Sequence, residues 1–120
     1  MKQVSLMLSG MVLAISGVAH AADLVAGKAA FETKGCVACH GADAASSVAP
    51  MYPILAGQHE DYLKHALNAY ARGARNAPAS SNIRKNPIMA VQVQNLSAED
   101  IVNISAWLAT LPSDLSNKRQ

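Results

Sequence analysis

Apolar residues recur at helical spacing in four separate stretches of this chain, and no stretch alternates as a strand would. Ala26, Gly27, Ala30 and Phe31 share one face of a segment running from Asp23 to Lys34. Asp23 suits its N-cap, Lys34 its last turn, and Gly35 a left-handed stop. Glycine is costly inside a helix, so Gly27 predicts a close approach by a neighbouring element. A second helix is predicted from His59 to Arg72, with Tyr62, Leu63, Ala66, Leu67 and Tyr70 on its apolar face and Gly73 as its stop. Asn86-Pro87 reads as a cap followed by proline at the first helical position, opening a short helix through about Gln94. Ser97 caps the last helix, and Asp100 stands where a capping-box acid would. Ile101, Ile104, Leu108 and Leu111 form its stripe with Trp107 beside it, and Pro112 ends it. The predicted fold class is all-α.

Between these helices lie two loops. Gly41 to Gly57 is rich in Ala, Ser and Pro, stiffened by Pro50 and Pro53. Arg75 to Lys85 is polar and reads as structureless. Arg72, Arg75, Arg84 and Lys85 flank it; they could neutralise the propionates of a bound group or form a basic docking rim for an acidic partner, and a solvated surface is the default expectation.

The first residues read differently from the rest. Lys2 precedes a mostly apolar stretch from Val4 to Val18, and Ala19-His20-Ala21 is an A-x-A cleavage site. Residues 1–21 are therefore expected to be a cleaved secretory signal peptide, giving an exported chain most simply found in a bacterial periplasm. Residues 22–120 would form one domain, with no stable membrane span once the leader is gone. Net charge is only +2, which gives no case for nucleic-acid binding. Aromatic residues are too few to fill the centre of such a domain, and a large buried group would do so.

The chemistry-bearing feature is Cys36-Val37-Ala38-Cys39-His40, which contains both cysteines of the chain. Two thiols one helical turn apart can each form a thioether to a porphyrin vinyl group, and the imidazole that follows can reach the iron from the same side. This is the attachment pattern of a c-type haem, one per chain since it occurs once. A disulfide or thioredoxin-type redox pair would use the same spacing, but needs strands around it. A zinc site would need a second ligand pair. His40 is the candidate proximal ligand, and its other ring nitrogen needs an acceptor to fix the tautomer. Removing residues 1–21 leaves Met51 and Met89 as thioether candidates for the sixth position, with His59 and His65 as nitrogen rivals. Tyr52, Leu55 and Ile88 are candidate pocket walls.

Three segments carry a resemblance through essentially the whole of residues 22–120: Lys34-Gly35-Cys36-Val37-Ala38-Cys39-His40-Gly41, Tyr52-Pro53-Ile54-Leu55-Ala56-Gly57-Gln58, and Asn86-Pro87-Ile88-Met89-Ala90 followed by Leu96-Ser97-Ala98-Glu99-Asp100-Ile101. In these the chain resembles class I c-type cytochromes, most closely the small monohaem cytochrome c553/c4-like group. The resemblance implies four to five short helices wrapped around one covalent haem, with the N- and C-terminal helices crossing. At that crossing Gly27 and Phe31 would meet Ile104 and Trp107. It also implies thioethers at Cys36 and Cys39, axial iron ligands His40 and Met89, and the Pro50 carbonyl as the acceptor for His40. Proteins of the c4 type carry two such domains, whereas one motif stands here.

The function so implied is a periplasmic one-electron carrier between respiratory redox partners, not an enzyme, with protein donors and acceptors and an expected monomeric state. The alternative is a haem-bearing electron-transfer subunit of a periplasmic dehydrogenase or oxidase complex. A gas-binding or peroxide-reducing haem would need an open sixth site, against which Met89 argues.

Overall fold

The computed structural model describes residues 21–115, in the order α1 (Leu24–Thr33), α2 (Val37–His40), α3 (Glu60–Ala74), a 3₁₀ turn (Ala79–Ser81), α4 (Pro87–Val93) and α5 (Ala98–Thr110). The expected signal peptide lies outside the described residues but for Ala21. No described helix is long and apolar enough to cross a membrane.

Local sequence sets the helix starts. Asp23 accepts from the backbone N–H groups of Val25 and Ala26 at 2.9 and 3.0 Å. Asn86 does the same for Ile88 and Met89, both at 3.0 Å. Ser97 and Asp100 form a reciprocal capping box, Asp100 N–H donating to Ser97 Oγ at 3.0 Å and Ser97 N–H to Asp100 Oδ2 at 2.9 Å. Each such cap is worth about 1 kcal/mol.

α1 and α5 cross as expected, and the contact is close. A Cβ on Gly27 would lie 2.1 Å from the Asn103 carbonyl oxygen and 3.0 Å from Trp107 Cβ. The expected pairing with Ile104 and Trp107 holds, and the Asn103 backbone joins it: that carbonyl passes over Gly27, where only a bare Cα admits it. Asn103 also accepts from the Asp23 N–H at 2.9 Å, pinning the start of α1 to α5. The Phe31 and Trp107 rings sit 5.2 Å apart, inclined at 51°, and pack with Ala30, Ile104 and Leu108 in the core. Phe31 and Leu108 are fully buried, each contributing roughly 1.5–3 kcal/mol of burial.

Two expectations need correction around α3. The helix does not stop at Gly73 but continues through Ala74. Gly73 is there because the Arg84 carbonyl passes over it: a Cβ would lie 2.0 Å from that oxygen. For the same reason residues 75–85 are not structureless. The Arg84 N–H donates to the Ala69 carbonyl at 3.0 Å and that of Ala77 to Arg72 at 3.0 Å. Arg72 also reaches the Asn82 carbonyl with Nη2 at 2.9 Å. The segment is sewn back along α3 by backbone bonds that polar composition does not announce.

The loop between α2 and α3 is held the same way. Ala44, fully buried, accepts from Leu55 and Ala56 through its carbonyl at 2.8 and 3.0 Å, and the Gly57 N–H donates to Leu108 in α5 at 2.9 Å. Asp43 fixes the turn, accepting from the N–H groups of Ala45 and Ser46 at 2.9 and 2.7 Å and from the Ser46 hydroxyl at 2.7 Å.

Those donors hold the Asp43 carboxyl at about 2, below its ordinary 3.8. The Ser97 N–H, then Ser97 Oγ and Lys34, pull Asp100 in the same direction. A group depressed on folding stabilises the fold above its unfolded pKa and loses that contribution as pH falls through its folded pKa. Stability linked to Asp43 is therefore complete above about pH 4 and is lost as pH falls toward 2. Asp43→Asn keeps the acceptor oxygen but cannot titrate. Its unfolding free energy is expected to vary less between pH 4 and 2 than that of the wild type, as read by denaturant titration at each pH. Equal slopes would mean that the turn does not depend on the charge.

Candidate functional site: a haem cavity

The fold brings α2, the following loop, α3, α4 and α5 around one cavity of about 450 Å³, a size typical of cofactor sites. Cys36, Cys39 and His40 form one wall; Ile88 and Met89 on α4 lie in another; Leu63, Ala66, Leu67 and Tyr70 of α3, with Ile104 and Leu108 of α5, make the apolar remainder. The apolar face predicted for α3 thus turns into the cavity. Tyr52, Leu55 and Ile88, expected as walls, all line it.

The motif itself forms α2, a single helical turn absent from the elements predicted from periodicity. Its bonds are local: the His40 N–H donates to the Cys36 carbonyl at 3.0 Å and the Gly41 N–H to Val37 at 3.0 Å. The turn sets both thiols half-buried at the cavity wall. Burial, together with Cys39 alongside, pushes the Cys36 thiol up from its ordinary value, while a backbone hydrogen bond opposes the rise. Reactive Cys-X-X-Cys pairs depend on a depressed thiol. Among the described residues no strand flanks the motif, and a thioredoxin-type site would require one.

His40 is buried, at 6% exposure. Its Nδ1 lies 2.9 Å from the Pro53 carbonyl oxygen. The expected acceptor was the Pro50 carbonyl, and the structure corrects this. The Tyr52 N–H closes a turn onto the Ala49 carbonyl at 3.0 Å, which throws Pro50 and Met51 outward and brings Pro53 beneath the imidazole. A carbonyl oxygen only accepts, so Nδ1 carries the proton and Nε2 holds the lone pair. The Tyr52 ring meets His40 edge-on, 6.3 Å between centroids.

Both candidate methionines line the cavity, but in different states. Met51 is 74% exposed and two residues from the carbonyl that anchors His40. Met89 is half-buried, with its backbone N–H held by the Asn86 cap. His59 and His65 are exposed and lie outside the cavity wall. Among the described residues no cluster of three or more His, Cys, Asp or Glu could hold a bare metal ion.

Gln58 and Gln92 line the cavity without having been singled out as walls, and Arg84, read with Arg72, Arg75 and Lys85 as solvated by default, lines it as well. Gln58 belongs to a segment that carried the resemblance. Gln92 is a polar residue that nothing in its neighbours along the chain marks, and nothing there separates Arg84 from the other three basic residues around its loop.

The walls fit a flat apolar macrocycle held at one side by two thiols. Two cysteines reach it from a single turn, an imidazole with its free nitrogen fixed stands beside them, and aliphatic side chains supply the rest.

The family model for Cytochrome c matches residues 24–112 of the chain. Cytochrome c-554(548) of Halomonas halodenitrificans is 38% identical over 90 residues, which are 75% of this chain and 98% of that protein. Cytochrome c4 of Pseudomonas aeruginosa is 38% identical over 108 residues, 89% of this chain and 46% of that one. The crystal structure of reduced recombinant cytochrome c4 from Pseudomonas stutzeri aligns with a TM-score of 0.65 at 35% identity, covering 77% of this chain and 47% of that chain. The chain thus spans about half the length of the c4 proteins it matches, and nearly all of the shorter c-554(548). The matched stretch runs from the first residue of α1 to just past the end of α5, taking in every wall of the cavity, and the chain belongs to the cytochrome c family: it is an electron carrier with one covalent haem c.

Proposed function

We propose that the protein is a periplasmic one-electron carrier between respiratory redox proteins, exported by residues 1–21 and working as one domain of residues 22–120. Cys36 and Cys39 would attach its haem, and His40 and Met89 would supply the two protein ligands of its iron. The observation that carries this reading is the convergence on one apolar cavity of His40, oriented by Pro53, and of Met89, from a helix far along the chain. When bound, the haem supplies a one-electron change between ferric and ferrous iron.

The chain's own residues do the rest. His40 presents Nε2 to the cavity while its Nδ1–H donates to Pro53, which fixes the ring plane and raises the basicity of the ligand. Met51 is less suited than Met89. It sits within the turn from Ala49 to Tyr52 that places Pro53 under His40, and so belongs to the imidazole's side. A thioether at Met89 is soft and neutral and favours ferrous iron, raising the potential. Leu63, Leu67, Ile104 and Leu108 exclude water from the cavity, so little solvent must reorient when the electron moves. Nothing in this arrangement makes or breaks a bond in a substrate.

Intact mass spectrometry of the protein from a periplasmic fraction tests the export and attachment assignments together. The expected mass is that of a chain beginning at Ala22 plus one haem, with the haem lost under denaturing conditions only in the Cys36→Ser, Cys39→Ser double variant. A chain that retains residues 1–21 would overturn the export reading. A wild-type chain without added haem would overturn the attachment.

A further inference from the structure

Ala44, in the loop between α2 and α3, is fully buried and holds a left-handed backbone, φ 54°, that a residue with a Cβ rarely adopts. Such a conformation persists only where the surroundings over-determine it. Two sets of bonds do so here. On one side the Asp43 carboxylate accepts from the N–H groups of Ala45 and Ser46 at 2.9 and 2.7 Å and from the Ser46 hydroxyl at 2.7 Å, closing the turn around Ala44. On the other, the Ala44 carbonyl accepts from both Leu55 and Ala56, at 2.8 and 3.0 Å. Leu55 follows closely on Pro53, whose carbonyl oxygen stands 2.9 Å from His40 Nδ1. The other end of the same stretch is tied to the Cys-X-X-Cys-His turn itself, where the Val48 N–H donates to the Cys39 carbonyl at 3.1 Å.

The Pro53 carbonyl is therefore held from both ends, and its far end hangs on a single turn. Asp43 is exposed and stands outside the cavity wall, so it reaches the site only through this backbone. We propose that Asp43 is a positioning residue for the iron ligand His40. It fixes the Ala44 carbonyl, that carbonyl fixes residues 53–56, and these hold the Pro53 oxygen against the imidazole N–H. This rests on His40 being the ligand, as proposed above. The consequence is electronic. A carbonyl that accepts from Nδ1–H makes Nε2 a stronger donor, and a stronger donor favours ferric iron. Loosening the turn weakens that bond, so the ferrous form gains. Loss of the Asp43 charge alone would act in the same direction, so the acceptor oxygen and the charge must be separated.

Redox titration of the matured holoprotein, wild type against Asp43→Ala and Asp43→Asn, makes that separation. Asparagine keeps an acceptor oxygen without the charge; alanine keeps neither. At a fixed applied potential the ferrous-to-ferric ratio is expected to rise about two- to fivefold in Asp43→Ala, short of the tenfold or more that outright loss of a ligand's hydrogen-bond partner costs. Asp43→Asn should stay near the wild-type ratio. Equal rises in the two variants would assign the effect to charge and overturn the proposal. An unchanged ratio in Asp43→Ala, with haem attached and the sulfur-to-iron band intact, would overturn it too and leave the ligation reading standing. Should Asp43→Ala fail to mature, hydrogen exchange in the wild-type holoprotein decides. The His40 ring N–H and the amides of Ala45, Ser46, Leu55 and Ala56 are expected to open together, with one common free energy of opening. A ring N–H that exchanges independently of those amides would sink the assignment.

Discussion

Met89→Ala is expected to abolish the near-infrared sulfur-to-iron charge-transfer band of the ferric protein and to lower the reduction potential on the order of 0.2 V, a fraction of the ~0.8 V over which axial ligands tune haem proteins. The reason is electronic. A neutral thioether stabilises ferrous iron relative to water or a harder ligand, and alanine offers no ligand atom. The ferrous variant should also bind carbon monoxide rapidly, because nothing then occupies the distal position. Met51→Ala is the control. Both methionines line the cavity, but Met51 is 74% exposed and near the carbonyl that anchors His40, so its loss should leave band and potential where they are. If the band survives in Met89→Ala and disappears in Met51→Ala, the two ligand assignments must be exchanged. A wild type without the band would remove the thioether from the iron altogether.

The second large effect is structural. Gly27→Ala should cost about 4 kcal/mol or more, a large part of the 5–15 kcal/mol that holds a domain of this size together. Helix propensity alone predicts the reverse, since alanine in a helix interior is favoured over glycine by about 1 kcal/mol. The packing overrides it: the added methyl would stand 2.1 Å from the Asn103 carbonyl oxygen, and backbone cannot swing aside as a side chain can. α1 would have to withdraw from α5, loosening the Phe31–Trp107 contact and the Asp23–Asn103 bond together. Denaturant unfolding of the holoprotein, followed by Trp107 fluorescence, reads the change. A midpoint equal to that of wild type would mean that the two helices have room to separate at no cost.

What was legible in the sequence is what depends on neighbours along the chain. Asp23, Asn86 and Ser97 cap the helices they were expected to cap, because a side chain two or three residues ahead of an N–H needs no other part of the protein to reach it. The Cys-X-X-Cys-His turn carries its chemistry in its spacing. The all-α class followed from periodicity, and Gly27, a residue whose helical cost asks for a close neighbour, announced a tight contact. That the neighbour is the last helix came from the resemblance to class I c-type cytochromes.

Tertiary structure alone decided the contacts whose partners are distant or are backbone atoms. A carbonyl oxygen is the same for every residue type, so sequence could not say that His40 bonds Pro53 and not Pro50; the turn closed between Ala49 and Tyr52 chose between them. Gly73 looked like a helix stop because glycine serves both that use and close approach, and only the path of Arg84 over it distinguishes the two. Arg84 itself looked like solvated charge among other basic residues. It became part of the cavity wall because a backbone bond to Ala69 lays residues 75–85 along α3, beside two tyrosines fourteen or more residues earlier in the chain.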